Sequence, residues 1–370
     1  MGVYKPIKER TTKEIGLAIV DENSNTWARF PLDEKSGASF TSEIEIVRGE
    51  LALTLYENAK EMADWRFGER IASIEDGPQE GGTARVTFEK SGTTEEFDYV
   101  ILSEGLHSRT RAMVWKEDVW KPIVPFDMWC GSWSIPRLEG DTNWAELCRF
   151  AGGRSFIVRP DGFGRMRLTF TFRTDIKNTG GKEQADAVRR FASSKVPMQQ
   201  QKEYIRSLLL DVKHKWIVPR LLEGLETCDD VYLQEIGQVR TPAWNKGRVG
   251  LVGDTAFCPS PFTGMGTSSA IIGAYTLSCA IATHGRDHTK VYAEYESKLR
   301  EWIEKVQNVP KFILRLFNPE TTWGIYFVQW VFVIGAFLVK TGIFNLFGQT
   351  AAGQKNTIEL LPFDNFPTKG

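Results

Sequence analysis

The period of the hydrophobic positions changes several times along this chain, and the changes divide it into elements. Glu14–Val20 and Thr26–Phe30 flank the polar turn Asp21-Glu22-Asn23-Ser24-Asn25, which predicts an extended pair near the start. Glu43–Leu51 then runs into Leu51, Leu55 and Ala59 at helical spacing, so a helix is expected to begin near Arg48. Trp65–Phe97 alternates again, with turns at Asp76-Gly77-Pro78 and Ser91-Gly92, the pattern of a small antiparallel meander. Tyr99–Leu102 is a short apolar run that leads into a helix start. From Phe126 to Arg173 the segments Phe126–Ile135, Ala145–Phe150, Ser155–Arg159 and Arg165–Arg173 alternate around turns, which predicts an antiparallel sheet. Lys182–Lys195 and Gln199–Lys213 have amphipathic helical spacing, and Val231–Arg240 is extended. After them come a buried strand at Val249–Val252 and helices at Thr267–Thr283 and His288–Val309. Trp323–Phe347 is apolar and aromatic, broken only by Gln329, Lys340 and Asn345.

Composition narrows the class. At 370 residues, 42% hydrophobic and 25% charged, the chain can bury a core the size of one large or two interleaved domains. No repeat or low-complexity linker separates the segments. A formal net charge of −1 gives no reason to expect nucleic acid as a partner. The five cysteines, Cys130, Cys148, Cys228, Cys258 and Cys279, form no CxxC pair and have no histidines at metal-ligand spacing. Neither a disulfide framework nor a metal site is expected, and the implied compartment is reducing. The opening residues lead into the charged Lys8–Lys13 run instead of an apolar leader, so the expected location is intracellular, in the cytoplasm or on the cytoplasmic face of a membrane.

Candidate chemistry concentrates in Arg248–Ala274. A short apolar strand bounded by Gly250 and Gly253 ends on Asp254, two prolines (Pro259 and Pro261) stiffen the turn, and Gly264-x-Gly266 opens a helix at Thr267. Glycines there let backbone N–H groups approach a ligand, the helix N-terminus offers partial positive charge, and Asp254 can hold a hydroxyl. A flavin nucleotide meets both demands. The run Gly247-Arg248-Val249-Gly250-Leu251-Val252-Gly253-Asp254-Thr255-Ala256-Phe257, followed by Pro261-Phe262-Thr263-Gly264-Met265-Gly266, resembles the second FAD motif of single-component flavoprotein monooxygenases, the group of aromatic hydroxylases and tetracycline-degrading enzymes. Phe257 stands where that family usually has His. Asp98–Arg111 resembles a second family motif through Asp98, Gly105, Ser108 and Arg111, with Glu104 and Ser103 replacing Asp and Ala.

The resemblance implies an α/β flavoprotein-monooxygenase fold: a Rossmann-like FAD domain interleaved with an antiparallel-sheet substrate domain, followed here by an apolar helical tail. Residues 1–122 and 229–309 are assigned to the FAD domain, 123–228 to the substrate sheet and 310–370 to the tail. It also implies FAD and NADPH as cofactors, and O2-dependent hydroxylation or epoxidation of a hydrophobic small molecule, a polyketide or terpenoid intermediate. The cofactor carries that chemistry, so no catalytic side chain is assigned. Cofactor contacts are expected at Arg48, Asp254, Gly264, Gly266 and Thr267. Of the sheet aromatics Trp129, Trp133, Phe156, Phe170 and Phe172, Trp129 and Phe170 are the expected substrate wall, with Arg154 ahead of Arg159 and Arg167 as a polar contact.

Two departures from the family accompany this reading. No Gly-x-Gly-x-x-Gly turn with the required spacing is found, so the chain is expected to resemble a family member lacking about 60 to 80 leading residues, the size of one βαβ unit. That departure supports an alternative, a redox-inactive relative acting as a binding protein or as a cyclase or isomerase. In the tail, Ile325–Val339 would reach only ~22 Å as a helix, short of a ~30 Å hydrocarbon core. Three readings stay open for 323–347: a marginal membrane span, a helix dipped into one leaflet, or a helix buried against protein.

Overall fold

The computed structural model describes residues 2–32, 44–76, 82–176, 181–192 and 196–340. The first elements are α1 (Tyr4–Glu9), β1 (Gly16–Val20), β2 (Thr26–Pro31) and α2 (Arg48–Ala59). A meander of β3 (Ile71–Asp76), β4 (Ala84–Phe88) and β5 (Thr94–Phe97) precedes β6 (Val100–Leu102) and α3 (Arg109–Trp115). Four longer strands follow, β7 (Ile123–Pro136), β8 (Trp144–Phe150), β9 (Arg154–Pro160) and β10 (Arg165–Arg173). Helices α4 (Gly181–Phe191), α5 (Met198–Ser207) and α6 (Val218–Thr227) lead to β11 (Tyr232–Val239), β12 (Asn245–Lys246) and β13 (Val249–Leu251). The chain continues through α7 (Asp254–Phe257), α8 (Gly266–His284), α9 (His288–Val306), α10 (Lys311–Phe317) and α11 (Thr322–Lys340). Residues 193–195 of the expected helix at 182–195, and 341–347 of the expected tail, lie outside the described residues.

The chain forms two compact units. One comprises the described residues within Met1–Trp65 and Asp127–Glu235 and those from Lys311 to Lys340. It is built on a seven-stranded sheet of order β11-β7-β10-β9-β8-β1-β2, in which β8, β9, β10 and β7 are successively antiparallel and β1 runs parallel to β8. Alternation sends Trp129, Trp133, Phe156, Leu168, Phe170 and Phe172 to one face, where they pack with Val188, Ile205, Val218, Leu221 and Leu225 of α4, α5 and α6. Each such side chain contributes roughly 1.5–3 kcal/mol on burial, so this face is the unit's main apolar core. A smaller cluster, Leu17, Ile19, Ala28, Phe30, Ala145 and Leu147, is covered by Phe317 and by Phe332, Val333 and Ala336 of α11.

The described residues up to Trp65 thus lie with the large sheet, whereas the sequence assigned this segment to the cofactor domain. The cause is local pairing: β1 is entirely buried and registers Gly16 to Val20 against Trp144 to Cys148 of β8. A side chain at position 16 would meet the Phe30 carbonyl oxygen at 2.3 Å and the Trp144 ring at 2.5 Å, so only glycine allows the strand to enter there.

The other unit comprises, among the described residues, those within Arg66–Phe126 and Ile236–Pro310. It holds the meander β3-β4-β5 and a sheet of order β12-β13-β6, with β13 parallel to β6. Helix α9 is pinned to β13 by two phenols: Tyr292 Oη donates to the Arg248 carbonyl at 2.9 Å and Tyr295 Oη to that of Leu251 at 3.2 Å. Gly250 makes room for this, since a Cβ would sit 2.4 Å from the Tyr292 ring. The parallel part of this unit is confined, among the described residues, to β6 and β13.

No described helix is long and apolar enough to cross a membrane. The tail helix α11 instead rests on the β2–β8 part of the large sheet.

Candidate functional site

The motif that organises the sequence forms one continuous turn at the end of β13. Gly253 has φ 62°, a conformation suited to glycine, and a Cβ there would come within 3.2 Å of Ala270. Asp254 follows as the first residue of α7 and is half-buried. Among the described residues no hydrogen bond or ion pair engages its carboxylate, although its neighbours are committed. Thr255 is fully buried, and its Oγ1 accepts the Gly105 N–H at 2.8 Å. Phe257, at the position where the resemblance implied His, is 1% exposed and packs on Trp244 with ring centroids 4.7 Å apart. It is a core residue here.

Past α7 the backbone is held in an unusual shape. Ser260 adopts φ 81° and ψ 148°, a region almost reserved for glycine that costs on the order of 1–3 kcal/mol, and it is 2% exposed. Its carbonyl accepts the Thr263 Oγ1 proton at 2.9 Å, and Thr263 Oγ1 in turn accepts the Met265 N–H at 3.1 Å. Gly264 then takes φ 65°, and open space lies where a Cβ would stand at both Gly264 and Gly266. Helix α8 starts at Gly266 with no side-chain cap on its first N–H groups, and Thr267 is exposed in that first turn. A nineteen-residue helix therefore presents unsatisfied donors and partial positive charge beside two bare glycines.

The loop after β6 is tied to this turn. Arg111, 3% exposed, donates to the carbonyls of Thr255 at 2.7 Å, Leu106 at 2.9 Å and Val119 at 3.2 Å. Burial lowers its pKa, and Glu104 partly opposes that. Glu104, exposed to solvent, caps the start of α3, accepting Ser108 Oγ and Thr110 Oγ1 at 2.5 Å each and the Thr110 N–H at 3.1 Å. The extra methylene over Asp is absorbed by this cap. The sequence motif marked Glu104 as a replacement and missed that its acceptors are already used.

Within this unit Asp254, Gly264, Gly266 and Thr267 are brought together on one turn. Arg48 belongs to the other unit, where it is the first residue of α2 and exposed. Its charge bears on Cys130 and Tyr232 at the β7–β11 end of the large sheet. Burial pushes the Cys130 thiol up to about 11, with Arg48 opposing.

The three expected substrate residues occupy structural positions. Trp129 is 1% exposed and Phe170 is fully buried, the latter stacked on Phe156 at 4.8 Å and on Phe172 at 5.2 Å. Both point into the helix-covered core. All five donors of Arg154 are used: Nε and Nη2 on the Ala151 carbonyl, Nη1 on Leu208 O and Asp211 Oδ1, and Nη2 also on Asp211 Oδ2. None is left for a ligand.

The opposite face of β7, β9 and β10 carries Cys130, Ser132, Arg159, Arg167 and Thr169, and Tyr232 of β11 bonds to Ser132. Parity separates the two faces, and the aromatics chosen from the sequence all fall on the core side.

Near Arg159 lies Glu14, whose side chain is 1% exposed. Among the described residues neither of its carboxylate oxygens has a hydrogen-bond partner, and Arg159 Nε stands 3.7 Å away. Burial pushes Glu14 up to about 7, with Arg159 lowering and Glu45 raising it. Sequence reasoning gave no sign of this group, since its burial arises from strands more than a hundred residues downstream.

An α/β fold whose strand–turn–helix carries a carboxylate unpartnered among the described residues and an uncapped helix start is the arrangement expected of a nucleotide-binding protein. The chain belongs to the FAD binding domain family, which it matches over residues 1–308. It is 28% identical over 380 residues to the FAD-dependent monooxygenase asL6 of Sarocladium schorii, covering 97% of this chain and 84% of that protein. Its fold is similar to that of the tetracycline destructase Tet(51), with a TM-score of 0.68 and 23% identity over 98% of this chain and 84% of the other. It is also similar to that of a single-site variant of Klebsiella pneumoniae HpxO complexed with FAD, with a TM-score of 0.67 and 16% identity over 92% and 84% of the two chains. The fold is the α/β flavoprotein-monooxygenase fold, and the chain falls among FAD-dependent monooxygenases.

Proposed function

We propose that this protein is a monooxygenase that takes reducing equivalents from NADPH and inserts one oxygen atom of O2, by hydroxylation or epoxidation, into a hydrophobic natural-product intermediate. The observation that carries the reading is the turn itself: a half-buried Asp254 carboxylate without a protein partner among the described residues, beside the bare glycines and uncapped start of α8. This set of groups fits FAD. Asp254 would accept ribityl or ribose hydroxyl protons, the first N–H groups of α8 at Gly266 and Thr267 would face the ligand's negative charge, and Gly264 would admit its close approach. When bound, FAD supplies the electron transfer from NADPH to O2; the protein's tasks are to bind it, exclude water and orient the substrate.

The substrate is assigned to the face of the large sheet that bears Thr169 and Arg167, where Arg167 keeps donors beyond its 2.8 Å bond to Asp230 that can hold an oxygen substituent of an otherwise apolar molecule. Kinship with FAD-dependent monooxygenases such as asL6 supports the oxygenation, and the apolar, aromatic character of the sequence favours a polyketide- or terpenoid-like skeleton. The test is to add FAD to the purified chain and follow NADPH oxidation and O2 uptake against a panel of hydrophobic polyketides and terpenoids. The expected result is substrate-stimulated NADPH consumption with a product heavier by one oxygen atom. FAD bound with no NADPH oxidation on any compound would favour the redox-inactive reading.

A further inference from the structure

Helix α11 has two unlike faces. Ile325, Val328 and Gln329 are buried, and Phe332, Val333 and Ala336 pack onto the Leu17–Ile19–Phe30–Leu147 cluster. The ring centroids of Tyr326 and Trp330 lie 5.9 and 6.0 Å from that of Trp27, and Phe332 lies 5.9 Å from Phe30. Arg149, buried in β8, sits beneath Phe332 at 4.9 Å and Phe317 at 5.5 Å and donates to the Phe317 carbonyl at 2.9 Å. These contacts hold the helix flat along the protein.

The outer face is apolar throughout. Trp323, Phe327, Trp330, Ile334 and Phe337 are 85%, 64%, 57%, 54% and 61% exposed, and Tyr326 and Val331 flank them at 45% each. The five recur at alternating steps of four and three, and the seven span an arc of about 140° at 100° per residue. No Asp, Glu, Lys or Arg occurs from Trp323 to Val339. With ~150–250 Å² per aromatic side chain, the exposed parts sum to on the order of 700 Å², more than the few hundred that monomeric proteins usually leave contiguous.

From this face we infer that α11 docks the protein in-plane on the surface of a lipid bilayer, through apolar contact and without a requirement for anionic headgroups. A second copy is the weaker occupant. A stable dimer needs about 800 Å² per partner, and one facing helix would cover the central stripe and leave much of the 140° arc wet. A bilayer covers the whole arc without shape complementarity. The stripe from Trp323 to Phe337 is ~21 Å long and its inner side is fixed on the sheet, so it lies in the interface instead of crossing, with tryptophan and tyrosine suited to headgroup depth. Because the arc carries no cation, salt should leave the attraction intact. The inference is independent of the flavin reading.

The experiment uses the full chain with phosphatidylcholine vesicles in a flotation assay at low and high salt. Quenching of tryptophan fluorescence by vesicles with brominated acyl chains provides a second readout on the unmodified protein. The expected result is flotation at both salt concentrations and quenching by the brominated chains. The triple variant F327S/W330S/I334S, checked by circular dichroism, should bind weaker by about a hundredfold at the least, since three of the exposed apolar side chains are lost from the contact. The inference is overturned if the chain neither floats nor is quenched, or if binding requires anionic lipid and vanishes in salt. It is equally overturned if the substitutions split a dimer in sedimentation without affecting vesicle binding.

Discussion

Replacing Glu14 by Gln should make the protein more stable at alkaline pH and change its stability little in acid. The wild-type carboxyl is buried, its oxygens have no hydrogen-bond donors among the described residues, and its pKa rises from 4.5 in the ordinary state to about 7 in the fold. The folded state therefore holds this proton more tightly than the unfolded state does. Between those two values the native protein binds more protons, so stability falls as pH rises through the window and stays low above it. Below 4.5 both states are protonated and the group costs nothing through ionisation. The full difference corresponds to ~3 kcal/mol, at about 1.4 kcal/mol per tenfold change in proton affinity. Gln cannot ionise, so Glu14→Gln should recover up to ~3 kcal/mol above about pH 7, less whatever attraction to Arg159 is lost. Arg159 keeps its contact with Glu45 at 3.2 Å, which limits that loss. Urea unfolding of both proteins at about pH 4.5 and about pH 8 measures the effect as a difference of differences. An equal stability difference under the two conditions, or a variant less stable than wild type in the alkaline one, would refute the reasoning.

Other outcomes follow from the groups already placed. Arg154→Ala should destabilise the unit of the large sheet by about 1–3 kcal/mol, because the Ala151 and Leu208 carbonyls lose their donor; KM for substrate in the variant should stay unchanged, which turnover assays on the folded fraction check. Glu104→Ala removes the acceptor for Ser108, Thr110 and the α3 start and should cost about 0.5–2 kcal/mol, measured by chemical denaturation. Gly264→Ala forces a side chain into φ 65° and should cost roughly 1–2 kcal/mol of stability and weaken FAD binding, with the Gly266→Ala variant, where φ is helical, losing less stability.

The site was most legible where its residues are adjacent. Gly253, Asp254, Gly264 and Gly266 lie on one strand–turn–helix, so their spacing alone locates the turn, and the glycine positions correspond to a positive φ or open space in the structure. Legibility failed where function depends on which face of an element is covered. Alternation shows that Trp129 and Phe170 share a face, but only the packing of α4, α5 and α6 reveals that this face is the core. Arg154 looked like a free cation because its partner Asp211 is 57 residues away. Glu14 merely opens an extended segment in the sequence, and its neighbour Arg159 belongs to β9, far downstream. The tail was ambiguous for the same reason: its inner surface is defined by Phe30, Leu147 and Arg149, all far from it in sequence.

The central claim is that the Asp254 turn holds FAD, and equilibrium titration of the full chain with FAD, followed by quenching of flavin fluorescence, tests it most directly. A hydrogen bond to a charged acceptor is worth about 1.5–3 kcal/mol, so Asp254→Ala should weaken binding by roughly 10- to 150-fold per bond lost, while circular dichroism shows the fold unchanged. Saturable wild-type binding with that loss in the variant is the predicted result. Equal FAD affinity in the wild type and a correctly folded Asp254→Ala variant would contradict the assignment of this turn.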